Sequence, residues 1–409
     1  MNTTLRLLLP FALLAALSAC VSQSIKSTSV PAIDTASSTV PEKLLLDVGV
    51  QVFDPGIEDY DATDDELVYP EVRRAEARYM PGLLVDALQN SGAWGAVRVI
   101  PNDDQFVDLR VAGEILHSDG EFLELAITAT DARGTVWLDR TYSGHASSYA
   151  YEPTTRNPYD PFQGVYHRIA NDLLQQLEGL QTAERERIRL VTELLFARSF
   201  APEAFSGYLE QGRKDVWMVR RLPAENDPML QRVREIRERD RMFIDTLQEY
   251  YNSFDLQMSG PYQEWRKLSY QEVIALEEVR SESRRRLLTG AAAILGGILA
   301  ASSGESGFDG AVTRTAGHVA ILGGGYLLKS GLERRAEAQI HVEALEELGL
   351  SLEAEITPQV IDLEDRTVTL NGSVEEQYAQ WRDLLAEIYR AEIGELAVPA
   401  ETAAATDTL

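Results

Sequence analysis

The chain has 409 residues, 44% of them hydrophobic and 25% charged, enough for two or three folded domains. Its formal net charge of −27 excludes nucleic acid as a partner, because counterion-release binding needs basic patches, and excludes a broad electrostatic grip on anionic lipid. A single cysteine, Cys20, excludes any internal disulfide.

The first twenty residues read MNTTLRLLLPFALLAALSAC. A weakly positive start at Arg6, an apolar run from Leu7 to Leu17 and small residues after it form the layout of a removable signal peptide, residues 1–19. Leu17-Ser18-Ala19-Cys20 resembles the lipobox of bacterial lipoproteins. That resemblance implies that Cys20 is acylated, palmitate among its chains, and becomes the first mature residue. Ser22 at the second mature position implies the outer membrane, with the protein facing the periplasm. Residues 20–41, rich in Ser and Thr and without periodicity, are expected to be a flexible lipidated tether.

Residues 42–180 are expected to form an αβ domain. KLLLDVGVQVF reads as a buried strand over 44–53. An acidic loop follows, carrying Asp54, Glu58, Asp59, Asp61, Asp64, Asp65 and Glu66; it lacks EF-hand spacing, so no calcium is expected there. A helix from about Pro70 to Asn90 puts Ala77, Met80, Leu84 and Leu88 on one face, with Pro81 awkward inside it. Trp94–Ile100 reads as a strand. Val107–His117, Glu121–Asp131 and Thr135–Ser143 follow as strands joined by turns at Asp119-Gly120 and Ala132-Arg133-Gly134. A helix over 162–180 closes the unit. The helix ending in DALQNSG and the strand VRVIP, through Ala87, Leu88, Ser91, Gly92, Trp94, Val97, Val99, Ile100 and Pro101, resemble a periplasmic class. It includes the amino-terminal domain of the Tol translocation β-propeller protein, the curli secretion-channel lipoprotein and auxiliary lipoproteins of envelope ABC transporters. The likeness spans about 130 residues and implies protein docking in the periplasm, with no catalysis.

Residues 181–260 read as helical and charged. One helix buries Ile188, Val191, Leu194 and Leu195; a longer one turns Met229, Val233, Ile236, Met242, Ile244 and Leu247 inward. Pro202, Pro223 and Pro228 mark helix starts. Tyr250, Tyr251, Phe254, Tyr262, Trp265 and Tyr270 make a dense aromatic cluster, read as a core between helices in preference to a docking patch or interfacial belt.

Residues 261–350 are expected to form a long helical hairpin whose first leg starts at Pro261 and whose second ends at Gly349. Its apolar tip spans 287–331. Ala292, Gly296 and Ala300 recur every fourth residue on the first leg, and Ala316, Ala320 and Gly324 on the second, a spacing that lets two backbones approach closely. Glycine inside a helix costs about 1 kcal/mol relative to alanine, so a packing reason is needed. Arg284, Arg285 and Arg286 stand at the foot of one leg, and Lys329, Arg334 and Arg335 at the other, placed for lipid headgroups. The apolar run of the first leg is about 15 residues, against about 20 for a bilayer span. Three readings stay open: burial against the protein or a sister subunit, dipping of the tip into a membrane, and a full membrane span.

Residues 351–392 read as two short strands and a helix capped by Ser373 with Glu376. Leu370, Gly372 and Val374 resemble half of a BON module. Residues 393–409 are expected to be a disordered tail. The fold class is therefore α+β. His117, His145, His167, His318 and His341 show no metal-ligand spacing, and GxSxG, P-loop and dinucleotide motifs are lacking. No metal, cofactor or catalytic residue is expected. The expectation is a non-enzymatic outer-membrane lipoprotein acting as a scaffold or assembly element, touching other envelope proteins or further copies of itself. The alternative is an oligomeric transport or secretion component whose hairpins insert into or plug a membrane passage.

Overall fold

The computed structural model describes residues 30–37, 40–57, 68–101, 105–151, 160–224, 226–302, 340, 342–350, 358–362 and 367–397. The fold is α+β, as expected. A mixed five-stranded sheet is built from β1 (Val48–Gln51), β2 (Val97–Ile100), β3 (Leu109–Ser118), β4 (Phe122–Asp131) and β5 (Val136–His145) in the order β2-β1-β3-β4-β5. β1 runs parallel to both neighbours, with Val48 opposite Val97 on one side and Leu109 on the other. β3, β4 and β5 form an antiparallel meander. The alternation in β4 buries Leu123, Leu125, Ile127 and Ala129, as a one-sided strand should. The β4–β5 turn is locked by Asp131, whose carboxylate accepts from the Arg133 guanidinium, the Arg133 and Thr135 amides and Trp137 Nε1.

Helices α1 (Pro70–Asn90) and α2 (Gln163–Gly179) pack side by side across the sheet. The four residues predicted to line the inner face of α1 are all buried. Pro81 neither breaks nor restarts this helix. Its missing N–H would have bonded the Ala77 carbonyl; the Phe53 amide donates to that carbonyl instead, at 2.9 Å. The residue that should disrupt the helix thereby fastens it to the end of β1. The expected tether is bound to the domain from Val30 onward: Asn171 and His167 of α2 bond residues 31–34, and the Ser37 amide donates to Glu178.

After α2 come α3 (Thr182–Phe200) and the short α4 (Pro202–Phe205). Two strands then appear where the sequence reads as helical: β6 (Leu209–Gln211) and β7 (Trp217–Val219), antiparallel. They are only three residues each, too short for a period-two pattern. Tertiary contacts hold them: the Trp217 amide donates to the Arg133 carbonyl, and the Arg198 guanidinium lies 5.1 Å from the Trp217 ring centre. Pro202 and Pro228 start helices, whereas Pro223 lies in the loop between β7 and the next helix.

That next helix, α5 (Pro228–Ser302), is 75 residues long, about 110 Å at 1.5 Å per residue. The expected break at Pro261 does not occur. A proline inside a helix costs about 3 kcal/mol, but Met258, Tyr262 and Trp265 beside it are all buried, and each such side chain contributes about 1.5–3 kcal/mol. The buried stripe runs Leu230, Val233, Ile236, Phe243, Leu247, Tyr251, Phe254, Met258, Tyr262, Trp265. Phe243 takes the inward position expected for Met242, which is 56% exposed. None of the described side chains from Lys267 to Glu278 is buried.

Residues 342–350 are helical, so Gly349 does not stop that helix. It lies instead against α1, where an added Cβ would sit 3.3 Å from Ala75 Cβ. β8 (Gln359–Asp362) and β9 (Thr367–Leu370) pair antiparallel, and α6 (Val374–Ala397) follows, running into the expected tail. The predicted capping box is present: Glu376 accepts from the Ser373 amide at 2.9 Å, and Ser373 Oγ accepts from the Glu376 amide at 3.2 Å. Cys20, Ala316, Ala320, Gly324, Lys329, Arg334 and Arg335 lie outside the described residues, as does the acidic loop apart from Asp54. Arg284, Arg285, Arg286, Ala292, Gly296 and Ala300 belong to α5 by backbone; their side chains are also outside the description.

Candidate interaction site: how the long helix is held

The features that set this molecule apart lie where α5 meets everything else. Arg266 is wholly buried. Its Nη1 donates to both oxygens of Asp160 at 2.8 Å. Its guanidinium stacks over the rings of Tyr262, at 4.2 Å, and Phe162, at 4.6 Å. Burial pulls the Arg266 pKa down, but Asp160 and the surrounding tyrosines outweigh that, so the group stays charged. Around it, Glu76 of α1 is buried and accepts from Tyr262 Oη at 2.5 Å and Ser118 Oγ at 2.6 Å. Glycine is required at position 120 of the β3–β4 turn: a Cβ there would lie 2.1 Å from the Tyr270 amide nitrogen and 2.2 Å from the Arg266 carbonyl oxygen. The Gly120 amide donates to Ser269 Oγ, and Tyr151 Oη donates to the Gly120 carbonyl. One turn of α5 is thus bolted to α1, the β3–β4 turn and the entrance to α2.

A second arginine cage lies toward the other end of the contact. Arg382 of α6 points among Phe106, Phe196 and Phe200, at 4.5 Å from the last ring. Its acid is Asp240 of α5, at 4.0 Å. Burial pushes the Asp240 carboxyl up to about 6 against the pull of Arg382 and Arg237. Phe243 of α5 stacks on Trp381 at 4.8 Å, and Arg239 pairs with Glu392. Arg241 reaches Asp47 at the head of β1, which in turn lies beside the buried Asp108 at the head of β3. Between the cages, Gly82 of α1 abuts Asp255, whose carboxylate oxygen would be 2.1 Å from any Cβ there. Burial, reinforced by Asp86, pushes the Asp255 carboxyl up to about 8.

The helix also covers one edge of the sheet. Gln248 accepts from the Val99 amide of β2 at 2.8 Å, and Asp245 pairs with Arg98. At the other edge, β5 borders an open groove of about 660 Å³ shared with α2 and Pro31. Ser143 and His145 line it, yet no hydrogen bond joins them among the described residues. The Ser143 carbonyl is held by Arg168, and Arg140 is paired with Asp172. His117 pairs with Asp119 at 2.8 Å and braces a turn: Asp119 also accepts from the Glu121 and Phe122 amides. Among the described residues no group of three His, Cys, Asp or Glu is placed to hold a metal, and no helix is long and apolar enough to cross a membrane.

Of the aromatic cluster read from the sequence, Tyr251, Phe254, Tyr262 and Trp265 are buried in these contacts, Tyr250 accepts from Gln359 of β8, and Tyr270 packs on Tyr151. The charged partners were not legible. Arg266 and Asp160 are 106 residues apart, and the single hint is an arginine inside an aromatic run.

No family model and no curated protein matches the chain. Among solved structures, the PelC dodecamer of Paraburkholderia phytofirmans is similar at 16% identity over 36% of this chain and 94% of that one, with a TM-score of 0.21. A likeness at that level carries no argument.

Proposed function

We propose that the protein is a lipid-anchored, non-enzymatic element of a bacterial envelope, acting as a periplasmic scaffold. The observation that carries this reading is the use of α5. One helix is fastened to the αβ domain through Arg266 and to the C-terminal module through Asp240, Phe243 and Arg239. Its inward face is spent on holding modules in fixed relation, which is what a scaffold requires. Its Arg266, Asp255 and Asp240 each face another part of the protein: Asp160, Gly82 and Arg382. The lone Cys20 within its lipobox-like sequence supports the anchor.

The test has two arms. Metabolic labelling with an alkyne palmitate analogue should mark the wild type and leave Cys20→Ser unmarked, with the labelled protein banding at outer-membrane density. A photo-crosslinker at Gly307 in intact cells should then capture protein. Absence of acylation would sink the anchor; cross-links to lipid alone would sink the scaffold in favour of membrane insertion.

A further inference from the structure

The geometry points to a second membrane contact: a groove between α3 and the chain leaving β7, built to seat phosphates of an anionic lipid surface. Arg187 and Leu190 of α3 face Arg220, Arg221 and Leu222 across an open cleft of about 400 Å³. Leu190 stands one helical turn beyond Arg187, so guanidinium and apolar surface alternate along one face. Arg221 is held from behind: its guanidinium lies 4.2 Å from the centre of the Tyr208 ring, and the Arg220 amide donates to the Tyr208 carbonyl. Among the described residues, Arg187, Arg220 and Arg221 have no ion-pair partner. Glu186 is the one acid in the lining. Three guanidiniums facing one cleft with a single acid among its lining residues are unexpected in a chain of net charge −27.

Charge alone would fit an acidic protein as well. Leu222 decides between them. It is 71% exposed, three residues past the end of β7, and Met218 within β7 is 50% exposed. An exposed leucine beside three arginines at one cleft matches the boundary between headgroups and acyl chains, where guanidiniums take phosphate in bidentate fashion and the apolar side chain enters the lipid. The acidic remainder of the surface is repelled by the same bilayer, and at physiological salt that repulsion fades beyond about 8 Å. The protein would therefore touch anionic lipid by this face and turn the others away, which gives a tethered domain a fixed orientation. This rests on the reading that the chain works at a membrane.

The experiment is vesicle flotation of the full mature chain carrying Cys20→Ser, so that no acyl chain contributes. Vesicles of phosphatidylcholine are compared with vesicles in which a third of the lipid is phosphatidylglycerol. Binding is expected only to the second. Arg187→Gln, Arg220→Gln and Arg221→Gln together should weaken it about a hundred-fold, at about five-fold for each guanidinium near the surface. Leu222→Ala alone should weaken it about ten-fold. All four residues are exposed, and circular dichroism should show an unchanged fold. Three outcomes would overturn the inference: equal binding to both vesicles, undiminished binding of the triple variant, or retention on immobilised polyglutamate without vesicle binding. None of them bears on whether Cys20 is acylated, so this idea and the anchored reading fail separately.

Discussion

The two arginine cages along α5 use the same parts and reach different settings. At one end, Arg266 touches Asp160 at 2.8 Å with its side chain fully buried. At the other, Arg382 stands 4.0 Å from Asp240 and keeps 19% of its side chain in contact with solvent. Coulomb attraction falls with distance and with the dielectric around the pair. At the near contact the attraction outweighs burial, and Arg266 stays charged. The far pair does not fully offset burial, and Asp240 is left with a pKa of about 6. One cage is a permanent bolt, and the other includes an acid that can take up a proton.

Breaking the bolt has the largest expected effect. Arg266→Ala strands a buried carboxylate and should cost about 3–5 kcal/mol of unfolding free energy. Because Arg266 sits on α5, hydrogen exchange of residues 258–270 and of the β3–β4 turn should rise together. Arg266→Met with Asp160→Leu removes both charges and should recover most of that loss. If Arg266→Ala leaves urea unfolding unchanged, the pair does not hold the helix.

The middle of the helix should respond to pH through Asp255. An unfolded aspartate loses its proton near pH 4, while folded Asp255 keeps its own to about 8. Between those values the folded state holds the extra proton, so stability falls as pH rises, by about 1.4 kcal/mol per unit. From pH 6 to pH 8 the loss should be about 2 kcal/mol, because the slope already weakens near the folded pKa and levels off above it. Asp255→Asn keeps the fit against Gly82 and should flatten this slope. A slope retained in Asp255→Asn would place the titration elsewhere.

How much of this was readable from the chain follows from the range of the forces. The sheet and α1 were legible because alternation in β4 and the stripe Ala77–Met80–Leu84–Leu88 are local signals, and the Ser373–Glu376 cap lies within one turn. Pro261 misled because its cost is local while the compensation comes from Met258, Tyr262 and Trp265 packing on distant elements. The β6–β7 hairpin was missed because its stabilising contacts, Arg198 and Arg133, lie outside it. The cages were invisible for the same reason: no spacing rule connects Arg266 to Asp160, or Arg382 to Asp240.

The looser cage should be cheaper to break. Arg382→Met keeps much of the apolar contact with Phe196 and Phe200 and loses the cation–π attraction, about 1–2 kcal/mol. Its acid, Asp240, can take up a proton near pH 6. With the guanidinium gone, burial holds the proton on Asp240 to still higher pH. The deficit of Arg382→Met should therefore be smaller at pH 5, where Asp240 is largely protonated in both proteins, than at pH 8. A deficit equal at both pH values would mean that Asp240 does not feel Arg382.

The smallest expected effect concerns the sheet edge. Gln248→Ala removes one hydrogen bond to the Val99 amide, about 1 kcal/mol. It also leaves β2 with an unpaired donor, though Asp245 still holds Arg98 beside it. Exposed strand edges recruit other strands, so the variant should show faster exchange at Val99 and more concentration-dependent association on light scattering. The opposite edge supplies the control. There the Ser143 carbonyl is covered by Arg168 from α2 and not by α5. Arg168→Ala should loosen β5 while leaving exchange at Val99 untouched. If both substitutions instead loosen both edges, the sheet opens as one unit and α5 is not acting as a separate cover.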